Sequence, residues 1–362
     1  MNTKKHDLLA IFLFCGFLSI MTGLYLFLPK DDFSENEKRF LEESPVLSWD
    51  AVTSGDWGND AESYMADHIP GRDFFVGLNA YFDLLTGRQV GKDIWLSQGR
   101  LVESPVTADD GVVERNMSAI NGFASALEQT VDLMIVPSAG WALGEKGYSD
   151  EAVIDFIYSK AEASVSPVPV TEVFQNRPDL YFSTDHHWNS AGAYAAYQHY
   201  MITIDRKYRN SEDFSKATYG KFQGSTYSRS ALWLTEAEVL ELWTGSEKLT
   251  VTNGESDEIH SGVFYWERLE EADKYTVFLD GNHSIVRIQN PDAQGKLLVI
   301  RDSYSNSLGC FLAESYAEVV LVDLRYYKQP ISQLIASEGF DNILICYSIS
   351  NFLTDTNLVW LR

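Results

Sequence analysis

The chain has 362 residues, 45% of them hydrophobic and 13% aromatic, which is ample for a large core. Its formal charge of −24 repels phosphate backbones and leaves no basic stripe, so nucleic-acid binding is disfavoured; the charge reads first as solubility outside the cell and only secondarily as a preference for neutral or cationic partners. Three cysteines, with no CxxC pair and no Cys/His cluster of zinc spacing, exclude a disulfide-dense or zinc-stapled scaffold; a single bridge between Cys310 and Cys346 stays open.

From Leu8 to Leu28 no side chain is charged, about the length a bilayer core asks of a helix. Lys4 and Lys5 precede this run and Asp31 and Asp32 follow it. The positive-inside bias therefore predicts a single-pass anchor through residues 8–28, a cytoplasmic tip, and everything from about residue 30 outside the cell. A cleaved signal peptide is the alternative, although the run exceeds the usual length of about 7–15 residues and ends without a small-x-small site. Cys15 follows Phe12 and Phe14, where lipid-attachment signals want small residues, and reads as a lipid-facing thiol. Residues 1–29 are thus tip and anchor, residues 30–50 a polar tether broken by Pro45, and residues 51–362 an extracytoplasmic domain.

Trp57, Ala61, Tyr64 and Met65 recur at helical spacing until His68, Pro70 and Gly71 interrupt, and Phe74 to Leu85 resumes the pattern. Asp132 to Pro137 reads as a short buried parallel strand, residues 150–163 as a helix, and Asn189 as the cap of a helix over Ser190 to Ile204. Residues 205–290 change character, with β-prone runs at Lys248–Thr252, Gly262–Trp266 and Tyr275–Leu279, and are expected to form an insertion. Three apolar runs close the sequence, Lys296–Ile300, Glu318–Asp323 and Asn342–Cys346. Helical segments at about 305–316 and 328–338 separate them, the alternation of a parallel α/β sheet.

Ser303 follows the first of these runs and precedes a helix, where α/β sheets gather ligands and where helix amides point. A serine there can attack an acyl carbon while its own N–H stabilises the oxyanion, each such donor contributing roughly 3–4 kcal/mol to the rate. Position alone equally allows Ser303 and Asp302 to be helix caps. Upstream, Asp185, His186, His187 and Trp188 form a second constellation. In an extended segment Asp185 and His187 share a face, so the carboxylate can accept from one ring nitrogen and leave the other as base for a serine. The helix N-terminus that follows opposes an imidazolium while Asp185 favours it. A structural histidine, or a metal held by Asp185, His186 and His187, are the competing readings, and Trp188 suits a core as well as a pocket.

Thr184-Asp-His-His-Trp188 resembles the signature of the DHHW proteins of Gram-positive bacteria, and Phe278–His283, Arg301–Ser307 and Val322–Tyr327 resemble that family's downstream blocks in order and spacing. DHHW proteins are in turn similar to the SGNH-like domains of alginate-type exopolysaccharide O-acetyltransferases. The resemblance implies an α/β fold with an SGNH-hydrolase-like parallel sheet flanked by helices. Ser303 would be its nucleophile, His187 its general base and acid, and Asp185 the orienting carboxylate. The chain order Asp, His, Ser reverses the usual SGNH order and implies a permuted arrangement; Arg301 stands where such hydrolases commonly have glycine. For oxyanion or substrate contacts the candidates are Tyr347 first, then Asn282 and Arg325, each with a bland reading: packing under the sheet, a turn after Gly281, and a surface ion pair. Asp302 is expected to support the turn. No metal or cofactor is expected.

The activity implied is transfer of an acyl group, acetyl first, to a cell-envelope or secreted polysaccharide, with a multi-pass membrane O-acyltransferase as donor partner. A carbohydrate acetylesterase is the first alternative, because water and a sugar hydroxyl are equivalent attackers. A non-catalytic glycan-binding or assembly protein, stacking sugars on Trp233, Trp243 or Trp266, is the second.

Overall fold

In the computed structural model, which describes residues 3–89, 93–254, 256 and 258–361, the chain divides into two units. Met1 and Asn2, the start of the expected cytoplasmic tip, lie outside the described residues. The first unit is Met1–Lys92 with Tyr227–Leu234; the second is Asp93–Thr226 with Thr235–Arg362.

The first unit begins with helix α1 (Thr3–Phe27). Within it, His6–Phe27 contains an 18-residue window of mean hydropathy 2.2 and is, among the described residues, the one helix long and apolar enough to cross a bilayer. Helices α2 (Trp49–Ser54), α3 (Asp56–Asp67) and α4 (Arg72–Leu85) follow, and Gly71 at φ +71 takes the left-handed turn between the last two. Residues 30–50, expected as a tether, contain local pairing. Phe33–Ser34 pairs with Arg39–Phe40, and Arg39 forks onto Asp67 at 2.8 and 2.5 Å. Asp67 is consequently drawn down to about 2 by the guanidinium bonds, which outweigh its desolvation.

The second unit carries the site. It opens with the hairpin β1 (Ile94–Ser97) and β2 (Arg100–Glu103), then α5 (Asp110–Ser125), β3 (Val131–Val136), α6 (Asp150–Ser159), β4 (Val165–Pro167) and α7 (Ser190–Thr203). A hairpin of β5 (Ser215–Phe222) and β6 (Glu238–Thr244) precedes β7 (Thr250–Asn253), β8 (His260–Ser261) and β9 (Ile285–Gln289). The chain closes with β10 (Lys296–Arg301), α8 (Ser305–Leu312), β11 (Glu318–Val322), α9 (Ile331–Glu338), β12 (Asn342–Ser348) and α10 (Ile349–Thr354).

The main sheet has eight strands in the order β8, β7, β9, β11, β10, β12, β3, β4. From β11 to β4 all neighbours are parallel; β9, β7 and β8 extend that core antiparallel. The fold is therefore mixed α/β with a large, mostly parallel sheet. The uninterrupted apolar runs of β3, β10 and β12 follow from burial on both faces. Alternate residues serve two clusters: Leu297 and Val299 face the one that holds Trp188 and Tyr304, while Leu298 and Ile300 face the one that holds Tyr347.

Two expectations from residues 205–290 need amendment. Tyr275–Leu279 is no strand but a 3-10 turn over Lys274–Val277, because Leu279, Asp280 and Gly281 all take positive φ and bar an extended continuation. Gly262–Trp266 contributes only an isolated bridge from Phe264 to Phe278 before a second such turn. The bridge left open between Cys310 and Cys346 is not formed; both thiols are free and buried.

Candidate active site

The connections out of β3 and β10 run to opposite sides of the sheet, to β4 and β11 respectively, with β12 between them. Such a reversal leaves a crevice beyond the carboxyl ends of the strands. Asp302 and Ser303 occupy that edge directly after β10 and lead into α8.

Asp302 is almost completely buried and wires the turn to the neighbouring strand end. One carboxylate oxygen accepts the Tyr304 amide at 3.0 Å; the other accepts the Ser348 amide, the Ser348 hydroxyl and the Asn351 side-chain amide, each at 2.8 Å. With its carboxylate thus engaged, Asp302 fixes the backbone on which Ser303 stands. Ser303 is partly exposed, and among the described residues nothing accepts from its amide N–H.

His187 arrives from the turn before α7. Trp188, wholly buried, donates its indole N–H to the Ser307 hydroxyl at 2.9 Å and the Tyr304 carbonyl at 3.1 Å, clamping the segment onto α8. The adjacent imidazole then lies with Nε2 2.8 Å from the Ser303 hydroxyl and Nδ1 2.5 Å from Asp185 Oδ1. Since Asp185 also accepts the His187 amide at 2.9 Å, it fixes both ring and backbone. The three residues singled out by sequence, with histidine and serine 116 positions apart, thus form one hydrogen-bonded chain.

Burial by itself would raise the Asp185 carboxyl. The charges of His187 and His186, the His187 bond and the Ser225 amide outweigh it and hold the group well below the usual carboxylate range. Asp185 is an anion, and a proton on Nδ1 is the state that satisfies it; Nε2 is then the acceptor facing serine. His186 lies beside them, its ring 3.8 Å from that of His187 and its Nδ1 2.6 Å from the Ser225 hydroxyl, and desolvation and the neighbouring His187 push its pKa down. The ligand atoms of Asp185, His186 and His187 lie within 4.8 Å of one another, close enough to share a cation, but the carboxylate is already committed to His187 and Ser225.

Several parts of this arrangement carry no local sequence signal. Tyr275 stacks on the His187 ring at 3.9 Å and 7°, and its hydroxyl donates to the Ser303 carbonyl at 3.4 Å and lies 3.2 Å from the Ser307 hydroxyl. Ser225 gives its amide to Asp185 Oδ2 at 2.6 Å, and a Cβ on Gly224 would lie 2.2 Å from that carboxylate. Only a residue without a side chain lets the loop after β5 close behind Asp185.

Among the described residues no hydrogen bond joins Tyr347, Asn282 or Arg325 to Ser303. Tyr347 packs in the cluster on the other face of the sheet from Trp188. Asn282 spends its carbonyl on Arg301 and Asn306, each at 3.1 Å, and Arg325 is bidentate to Asp323 at 2.9 and 2.6 Å. Arg301 itself is fully buried and held by Asn306 and Asn282.

A serine, a histidine and a carboxylate thus stand in series at the carboxyl edge of a mostly parallel α/β sheet. Residues 130–322 match the family described as DHHW protein, more than half of the chain, and the chain belongs to that family. A crystallised DHHW family protein from Eubacterium siraeum is 22% identical with a TM-score of 0.64, over 75% of this chain and 97% of that one. PatB1 of Bacillus cereus, solved with a sulfonyl adduct, is 23% identical with a TM-score of 0.63, over 74% and 98%. The O-acetyltransferase domain of Pseudomonas putida AlgJ is more distant, 13% identical at a TM-score of 0.45 over 74% and 95%. Among curated proteins none matches the chain.

Proposed function

We propose that this protein is an extracytoplasmic acyltransferase, anchored by residues 8–28, that moves an acetyl group to a polysaccharide hydroxyl through Ser303, His187 and Asp185. The carrying observation is the unbroken chain from Asp185 through both His187 nitrogens to the Ser303 hydroxyl. His187 Nε2 takes the serine proton as Oγ attacks the acyl carbon, and the Ser303 amide N–H meets the oxyanion. Collapse expels the donor's alcohol, which receives the proton from Nε2. An acceptor hydroxyl then gives its proton to Nε2, attacks the acyl-serine and releases Ser303 with the proton returned.

The same steps with water as attacker give an acetylesterase, and the partly exposed serine admits both. The permuted SGNH likeness, an outside location and a multi-pass acyltransferase as donor belong to this reading. The anchor supports it by raising the effective concentration of a membrane-bound donor. The sulfonyl adduct of PatB1 is consistent with a reactive nucleophile in that protein.

The test is a serine-directed fluorophosphonate probe on the full chain in detergent, followed by incubation with an acetyl ester and oligosaccharides. Labelling that vanishes in Ser303→Ala and His187→Ala, with acetylated glycan formed, supports transfer. Free acetate alone supports the esterase, and labelling indifferent to both variants removes the catalytic reading.

A further inference from the structure

Beyond Asp302, away from the histidine, the second unit has a cleft of about 210 Å³ lined by Asp302, Arg325, Asn351, Thr354, Asp355 and Asn357, together with Thr356. It sits on the edge of the sheet where β10, β11 and β12 end. Asp302 is shared: its backbone continues into Ser303, and its side chain forms one wall. Every lining side chain is a hydroxyl, amide, carboxylate or guanidinium.

One group lining the cleft has unused hydrogen-bonding capacity: Arg325 commits Nε and Nη2 to Asp323, and among the described residues Nη1 has no partner.

The balance of charge decides the ligand. Asp302 and Asp355 face the cleft while Asp323 neutralises Arg325, so an anionic ligand meets net repulsion. A neutral, hydroxyl-rich ring instead donates to Asp355 Oδ2 and the threonine hydroxyls and accepts from Arg325 Nη1, while Asp302 stays engaged with Tyr304, Ser348 and Asn351. We propose that this cleft is the acceptor subsite and takes one neutral sugar ring next to the residue that bears the acyl group. The proposal rests on the acyl-serine reading above.

The test separates the two. The full chain in detergent is acylated with p-nitrophenyl acetate, and turnover is followed with neutral pentasaccharides of glucose, galactose and N-acetylglucosamine and with a galacturonate pentamer. At least one neutral pentamer is expected to saturate and receive acetyl, and the galacturonate pentamer to do neither. Thr356→Trp, which fills the cleft, is expected to raise the neutral acceptor's KM by about tenfold or more when transfer is normalised to the p-nitrophenol burst. Thr354→Trp, from a different wall, gives the same result if the first variant folds poorly. Absence of a burst in the unaltered protein defeats the acyl-serine reading itself. A burst with no neutral acceptor, with preference for the galacturonate pentamer, or with KM unmoved in both variants overturns the subsite.

Discussion

Asp185 holds two positions at once: it fixes the histidine's tautomer, and it is itself fixed by the Ser225 amide against the bare backbone of Gly224. Asp185→Asn keeps the shape and loses the anion. By analogy with other triads its acylation rate should fall by about 10⁴-fold, measured as the p-nitrophenol burst rate. Gly224→Ala should act on the same atom by displacement, since its Cβ would lie 2.2 Å from Asp185. A destabilisation of about 1–3 kcal/mol in urea unfolding, together with a slower burst, is expected. An unaltered burst in Gly224→Ala would show that the loop does not press on the carboxylate. The pH dependence follows from the direction of the Asp185 shift. Its folded pKa lies below the unfolded value of about 3.9, so its stabilising contribution is complete above that pH and is lost as pH falls through the folded pKa. Unfolding followed from pH 6 down to pH 2 should therefore show a loss of stability in the unaltered protein that is smaller in Asp185→Asn.

Among the elements, the parallel strands were legible because their apolar runs have one cause, burial on both faces, that does not depend on partners. The α7 helix was legible from its cap: the Asn189 side chain accepts from the Gly192 amide. The Asp185 to His187 spacing was legible for a similar reason, since an i, i+2 pair shares a face wherever the chain is extended. Tyr275 was not. Its strand-like composition yields to three consecutive left-handed residues, and its stacking on His187 depends on contacts 88 residues apart that no local pattern encodes. The same holds for Ser348 and Asn351, which complete the Asp302 network from the end of β12 and from α10. Trp188 joins elements: its indole ties the start of α7 to α8, so Trp188→Phe leaves Ser307 and Tyr304 short of a donor in a buried place. A cost of about 1–3 kcal/mol in urea unfolding is expected; a change below about 0.5 kcal/mol would mean the clamp is dispensable.

At the scale of the molecule, a net charge of −24 imposes self-repulsion that the ion pairs, largely at the surface, do little to offset. Added sodium chloride should raise the melting temperature between about 0.01 and 0.15 M, where the Debye length contracts from about 30 to 8 Å. A fall would show that attraction between opposite charges outweighs the repulsion. All of the chemistry depends on Ser303 being the group that carries the acyl intermediate. Peptide mass mapping after a brief, acid-quenched exposure of the full chain to p-nitrophenyl acetate examines this directly. The account predicts one acetyl group on the peptide bearing Ser303, absent in His187→Ala; acetyl on other residues alone, or on Ser303 to the same extent without His187, would contradict it.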